Sequence, residues 1–196
     1  MDAMIVSHEH RFVFIKTRRT AGSSIEAALA PRLGASDMIT GSARDGTPRR
    51  NVPDGLTGHV GWRKILALAG TRVAGYAWFC VERNSYAKAL SDWLWHRDVL
   101  RDTGLPFASY VWERRPTDWD RYTKNDEPVC GVLQYAALAR AQDIDVRGIG
   151  IVALPRFKTN EYRASCADYY GPEERAAVDE VFAREIAYFK YGMPAR

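Results

Sequence analysis

Apolar and polar positions alternate between two periods along this chain, and the switch between them predicts a repeated unit. Phe12-Val13-Phe14-Ile15 is a short continuous apolar run of β-prone residues, ended by the polar segment Lys16 to Thr20. Beyond Ala21-Gly22 the spacing of Ile25, Ala28 and Leu29 is helical, with Glu26 expected in the first turn, where a carboxylate suits the positive end of the helix dipole. Pro31 closes that helix. The unit recurs downstream: Gly75 to Val81 reads as a second buried strand, and Tyr86 to Arg101 as an amphipathic helix carrying Leu90, Trp93, Leu94 and Leu100. Between the two units, Gly34 to Gly58 is rich in Gly, Pro, Arg and Asp, lacks apolar periodicity and reads as a long surface loop, followed by a helix over Val60 to Ala69.

Leu105 to Asp126 mixes aromatic and charged residues around Pro106 and Pro116 and reads as an irregular cap or acceptor segment. Val129 to Leu133 is a third candidate strand, Tyr135 to Ala141 a short helix and Gly150 to Leu154 another strand. Pro172 opens a helix running to Tyr191, with Val178, Val181, Phe182, Ile186 and Phe189 as its apolar stripe. Alternating strands and helices predict an α/β fold: a mostly parallel central sheet with helices on both faces, three layers in all. A chain of 196 residues with 46% hydrophobic content suits one domain over 1–196.

Charge narrows the partners. A net charge of +4 is a mild basic excess, which argues against a nucleic-acid polymer and suits a small polyanion. Cys80, Cys130 and Cys166 are odd in number, far apart and without a CxxC pair, so neither a disulfide framework nor a structural zinc site is expected. They read as small buried hydrophobes in a reducing, cytoplasmic compartment. Met1 to His10 has no apolar core of the kind a signal peptide needs, and the apolar stretch Ile65 to Val81 is broken by Gly70, Thr71 and Arg72, so no membrane span is expected.

Candidate chemistry sits at the two strand-to-helix junctions. Arg18-Arg19-Thr20-Ala21-Gly22-Ser23-Ser24 places two guanidiniums and hydroxyl donors where backbone amides and the positive helix end make an anion site. It is not a Walker A loop, and a lone Gly between strand and helix is more often a plain turn. The second junction supplies Arg83, a rigid fork for a phosphate, and Ser91 eight residues later inside the following helix. By itself that pair is equally an Arg capping the sheet edge and a solvent-facing Ser. His8 and His10 read as exposed, and His96 as an edge-of-core residue; Trp112 and Trp119 are able to line a sugar site.

Taken together, these segments resemble the PAPS-dependent sulfotransferases (PAPS is 3′-phosphoadenosine-5′-phosphosulfate). That family carries a 5′-phosphosulfate loop of the form PKTAGTS, or PRSGST in some branches, and later an Arg followed eight residues on by a Ser that hold the 3′-phosphate. This chain has RRTAGSS and then ERNSYAKALS, in the same order and context. Gly58-His59-Val60 is similar to a GHV segment of carbohydrate sulfotransferases, where the His is the proposed base, and Tyr169-Tyr170 with Phe182 to Phe189 resembles the C-terminal helix of bacterial members. The resemblance implies a P-loop-like fold and sulfuryl transfer from PAPS to an acceptor hydroxyl, carbohydrate being favoured, with PAP as product and no metal. It implies Arg18, Arg19, Thr20, Ala21, Gly22, Ser23 and Ser24 around the 5′-phosphosulfate, Arg83 with Ser91 on the 3′-phosphate, His59 as general base, and Arg156 and Lys158 closing over the nucleotide. Arg19 departs from the usual Lys, a non-conservative change that keeps the cation but alters its shape. A PAP- or PAPS-binding protein without turnover therefore stays open, as does a P-loop phosphotransferase using ATP, against which the missing Walker lysine pattern counts.

Overall fold

The computed structural model describes residues 4–41, 46–54, 59–155 and 165–194. In chain order its first elements are β1 (Met4–Ser7), β2 (Phe12–Ile15), α1 (Gly22–Leu29), β3 (Met38–Ile39), α2 (Trp62–Ala69), β4 (Ala77–Glu82) and α3 (Ser85–Leu94). They continue with α4 (Phe107–Arg114), α5 (Trp119–Tyr122), β5 (Thr123–Lys124), β6 (Glu127–Pro128), β7 (Gly131–Gln134) and α6 (Tyr135–Ala141). The last are β8 (Asp143–Val146), β9 (Gly150–Ala153), α7 (Pro172–Val181) and α8 (Ala183–Phe189). The chain divides into two compact units: Met1–Glu82 with Asp120–Thr159, and Arg83–Trp119 with Asn160–Arg196.

The first unit holds a five-stranded sheet in the order β3-β1-β2-β4-β7. β4 pairs parallel with both β2 and β7, whereas β1 pairs antiparallel with both β2 and β3. The sheet is therefore mixed, and the mostly parallel sheet predicted from the alternation of elements is corrected. The physical reason lies in the short connection from Ser7 to Phe12, which is long enough for a hairpin turn with Arg11 in the left-handed region (φ 56°) and far too short for the crossover that a parallel pair needs. The sheet's outermost strand on that side, β3, comes from inside the tract 34–58 that reads as loop in the sequence, and Ile39 is bridged there to Arg50.

All four residues of β2 are fully buried, which explains why the run lacks alternation: both faces of this strand are covered. Phe12 and Phe14 point to one face and pack with Phe79 at ring-centroid distances of 6.0 and 5.0 Å. Ile25 and Leu29 of α1, Leu138 of α6 and the hairpin residues Ile144, Val146 and Val152 complete that core. The hairpin β8–β9 is a separate two-stranded sheet, so the strand expected over 150–154 does not join the main one.

The second unit is helical. Tyr86, Ala89 and Leu90 of α3, Phe107, Tyr110 and Val111 of α4, and Ala177, Val178 and Val181 of α7 share its core with Phe182. Asn84 caps α3, its side-chain oxygen accepting from the backbone N–H groups of Tyr86 and Ala87. Helix α3 gives way at Trp95–Leu100 to a π-helical turn, so the single helix expected to Arg101 is two segments. Where an irregular cap segment was expected over 105–126, α4 forms between Pro106 and Pro116, because Phe107, Tyr110 and Val111 present an i, i+3, i+4 stripe to the core. The helix expected from Pro172 to Tyr191 is likewise broken at Phe182, whose φ of −107° and ψ of 20° leave the helical region between α7 and α8. Among the described residues no helix is long and apolar enough to cross a membrane.

A buried phenol in this unit gives an alkaline signature. Tyr86 donates its hydroxyl hydrogen bond to Asp179, and burial first, then that carboxylate, push its pKa up to about 12 from the ordinary 10.0. Burial also raises Tyr170, which packs edge-on to Tyr86. Because the folded pKa lies above the unfolded one, this contribution is complete below the unfolded value and is lost as pH rises through the folded one. The melting temperature is expected to sag between pH 10 and about 12, and Tyr86→Phe to flatten part of that sag; equal profiles for the two proteins would show that Tyr86 titrates normally.

Candidate anion-binding site

Strand β2 ends at Ile15 and α1 starts at Gly22, and the six residues between them are built as a tight loop. Arg19 (φ 56°) and Ala21 (φ 64°) both adopt left-handed backbone, an expensive choice for non-glycine residues. Left-handed residues in such a turn aim successive amide N–H groups into one concavity, the geometry of an anion nest. The N-cap residue of α1, Ala21, makes no side-chain cap bond, and the N–H of Ile25 returns to the Ala21 carbonyl. The amide ends of Gly22, Ser23 and Ser24 therefore carry the positive pole of the helix. Arg18, Arg19 and Ser23 are half-buried, and Ser24 is buried.

Thr20 has a different place from the one the motif suggests. Its hydroxyl is buried and bonds inside the loop, 2.8 Å from Thr17 Oγ1 and 3.0 Å from the Thr17 carbonyl. Thr17 in turn donates to the carbonyl of Val81 on the neighbouring parallel strand β4. The two threonines brace the loop to the sheet edge. Glu26 is corrected as well: α1 begins at Gly22, so Glu26 stands in the second turn, and its carboxylate pairs with Lys16 Nζ at 2.7 Å instead of serving the helix pole.

His59 lies in the same unit. Its Nδ1 is 2.9 Å from the carbonyl oxygen of Lys16, and because a carbonyl only accepts, Nδ1 carries the hydrogen. In the neutral ring Nε2 then holds the lone pair, the tautomer that a general base needs. Capping of the following helix is not its role, since the N-cap of α2 is Gly61 and no side chain bonds there. Next to it, Gly61 packs on the backbone of Arg121, and Trp62 donates to the Thr123 carbonyl at 2.8 Å, with Arg63 4.7 Å over its ring.

In the second unit, Arg83 directly precedes the α3 cap, and Ser91 stands in the second turn of that helix. Ala87 and Ser91 are one turn apart and both half-buried, so they share the partly open face of α3. Arg83 acts electrically on Cys166: burial pushes that thiol up, and the guanidinium pulls it partly back. Arg156, Lys158 and Gly58 lie outside the described residues.

The remaining candidates are placed as follows. His8 is half-buried, not exposed, with Nδ1 3.1 Å from the Tyr76 hydroxyl, and its pKa is lowered by burial first and then by Arg72. His10 lies between the carbonyls of Gly148 and Arg32 at 3.1 and 2.9 Å. His96 donates from Nδ1 to Asp102 at 2.8 Å on the π-helical turn. Trp112 is 39% exposed, whereas Trp119 is only 1% exposed and packs on Tyr188 and Phe189, which removes it as a sugar-facing ring. The pairing of Lys16 with Glu26 has no sign in the sequence, nor has the approach of Cys80 to Cys130, whose sulfurs lie 3.6 Å apart. The register of β4 on β7, with Phe79 opposite Gly131, is what brings those thiols together, and one-dimensional spacing holds no sign of it. Among the described residues no group of three or more His, Cys, Asp or Glu side chains could hold a metal ion. Compared with family models, with curated proteins and with solved structures, the chain finds no match in any of the three.

Proposed function

We propose that the protein is a sulfotransferase that moves the sulfuryl group of PAPS to an acceptor hydroxyl, on a carbohydrate by preference, with PAP leaving. The observation that carries this reading is the presence in one unit of a helix start whose N-cap residue offers no side-chain cap, the arginines before it, and a histidine whose proton is parked on Nδ1 by the first residue after β2. The P-loop-like, three-layer arrangement belongs to the same proposal.

In this mechanism the α1 amides, Arg18 and Arg19 hold the 5′-phosphosulfate, and the resemblance gives Arg83 and Ser91 the 3′-phosphate. PAPS supplies an activated sulfuryl group. His59 Nε2 accepts the acceptor hydroxyl's proton as that oxygen bonds to sulfur, and the bond from sulfur to the bridging oxygen breaks with its electron pair going to PAP. Charge grows on that bridging oxygen while the charge of the sulfuryl group is spread over its equatorial oxygens, so a guanidinium at Arg19 and oriented amides would favour the transition state over the ground state.

Binding tests the reading first. PAP is expected to raise the melting temperature, since a ligand at about 100 times its Kd stabilises the native state by about 2.7 kcal/mol. Arg83→Ala should weaken PAP about 10- to 100-fold, the loss of a hydrogen bond to a charged group of about 1.5–3 kcal/mol. A response to ATP with Mg²⁺ and none to PAP at millimolar concentration would turn the assignment toward a phosphotransferase.

A further inference from the structure

We infer that Lys16 and Glu26 are positioning residues, their buried ion pair fixing the backbone carbonyl that decides which nitrogen of His59 takes a proton. The inference rests on the role proposed for His59, and its geometry lies wholly within the first unit. Lys16 touches three parts of the site. Its Nζ meets Glu26 Oε2 at 2.7 Å, with side-chain exposures of 9% and 0%. Its stem crosses the first residue of α1 so closely that a Cβ on Gly22 would lie 2.6 Å from Lys16 Cε. Its carbonyl oxygen receives the His59 Nδ1–H at 2.9 Å.

Stability alone is a poor reason for this pair. Taking two charges out of water costs several kcal/mol per ion, and well-packed apolar replacements of buried pairs are often neutral or stabilising. An apolar side chain would be free to slide over Gly22, whereas a charge-assisted hydrogen bond has one short geometry. β2 holds Lys16 from its N-terminal side, and the ion pair holds its side chain to the second turn of α1. The peptide leaving Lys16 then has one direction, and His59 reads it. The same contact gives Gly22 its reason to be glycine: any larger residue pushes the Lys16 stem aside and so reaches the histidine without touching it.

Nuclear magnetic resonance of protein labelled with ¹⁵N in histidine tests this, because ring nitrogen shifts report the tautomer and His59→Gln assigns the signal. The wild type is expected to show the Nδ1–H form; an Nε2–H form there overturns the inference at once. Glu26→Gln and the double variant Lys16→Met/Glu26→Leu, which removes both charges of the pair, should both convert His59 to a mixture of tautomers. They should also lower kcat about 10- to 100-fold, the range met when a partner orienting a functional histidine is removed, with PAP affinity nearly unchanged. A folded double variant with His59 still wholly Nδ1–H refutes the positioning role. So does failure of both variants to fold, which would make the pair a folding element. The tautomer readout needs no turnover, so a protein that binds no PAP removes the sulfotransferase reading while the inference is still decided.

Discussion

Replacing His59 with alanine is expected to lower turnover by about 10²- to 10⁴-fold while leaving PAP affinity close to that of the wild type. The split follows from what the side chain touches. Its Nδ1 is committed to the Lys16 carbonyl, so in the proposed mechanism the group would work through Nε2 and on the acceptor's proton, whereas the proposed nucleotide contacts are the loop amides and the arginines. The acid limb of kcat/KM, which reports protonation of the base in the free enzyme, should vanish or move in the residual activity of the variant. Because Gly61 and not His59 is the N-cap of α2, a loss of helix stability cannot imitate this result. A variant with near-normal kcat and an unchanged acid limb would transfer the role to His96, whose Nδ1 is held by Asp102 in the corresponding way.

Lys88→Met is expected to be strongly destabilising in the second unit. Lys88 Nζ lies 3.0 Å from Asp118 Oδ2, with side-chain exposures of 1% and 0%, so removing the cation takes a charged partner from a carboxylate that is out of reach of water. Breaking a buried pair in this way costs about 3–5 kcal/mol, a large part of the about 5–15 kcal/mol that holds a domain together. The double variant Lys88→Met/Asp118→Leu should recover part of that loss, because much of the penalty belongs to the buried carboxylate left short of a cation and not to the missing attraction. Denaturant midpoints of the three proteins measure it. A Lys88→Met unfolding free energy within about 1 kcal/mol of the wild type would mean that Asp118 does not depend on Lys88 for its charge.

Local physics made much of this chain readable. The strand over Phe12–Ile15 and the helix over Tyr135–Ala141 stand where apolar periodicity puts them, and β4 lies within two residues of its expected bounds. The loop between β2 and α1 was equally legible, because a β-run, a polar break and a helical start are all written in residues within a few positions of one another. The segment 105–126 was misread for a related reason. Its two prolines are strong local punctuation, but Pro106 sits at the cap of α4, where its missing N–H costs nothing, and Pro116 lies beyond the helix end.

What the sequence by itself determined is thus the α/β alternation, the position of the loop between β2 and α1 and the residue types offered to it. Tertiary structure decided the rest: that the sheet is mixed, that the Thr20 hydroxyl turns inward, that Glu26 serves Lys16, and that His59 carries its proton on Nδ1. The reason is range. Periodicity and capping are interactions among near neighbours, whereas strand direction is settled by connection length and pairing, and the His59 contact spans 43 residues to Lys16, the sulfur contact 50 from Cys80 to Cys130. No local pattern encodes such partners, since they are chosen only when the chain closes on itself and each buried polar group must find one.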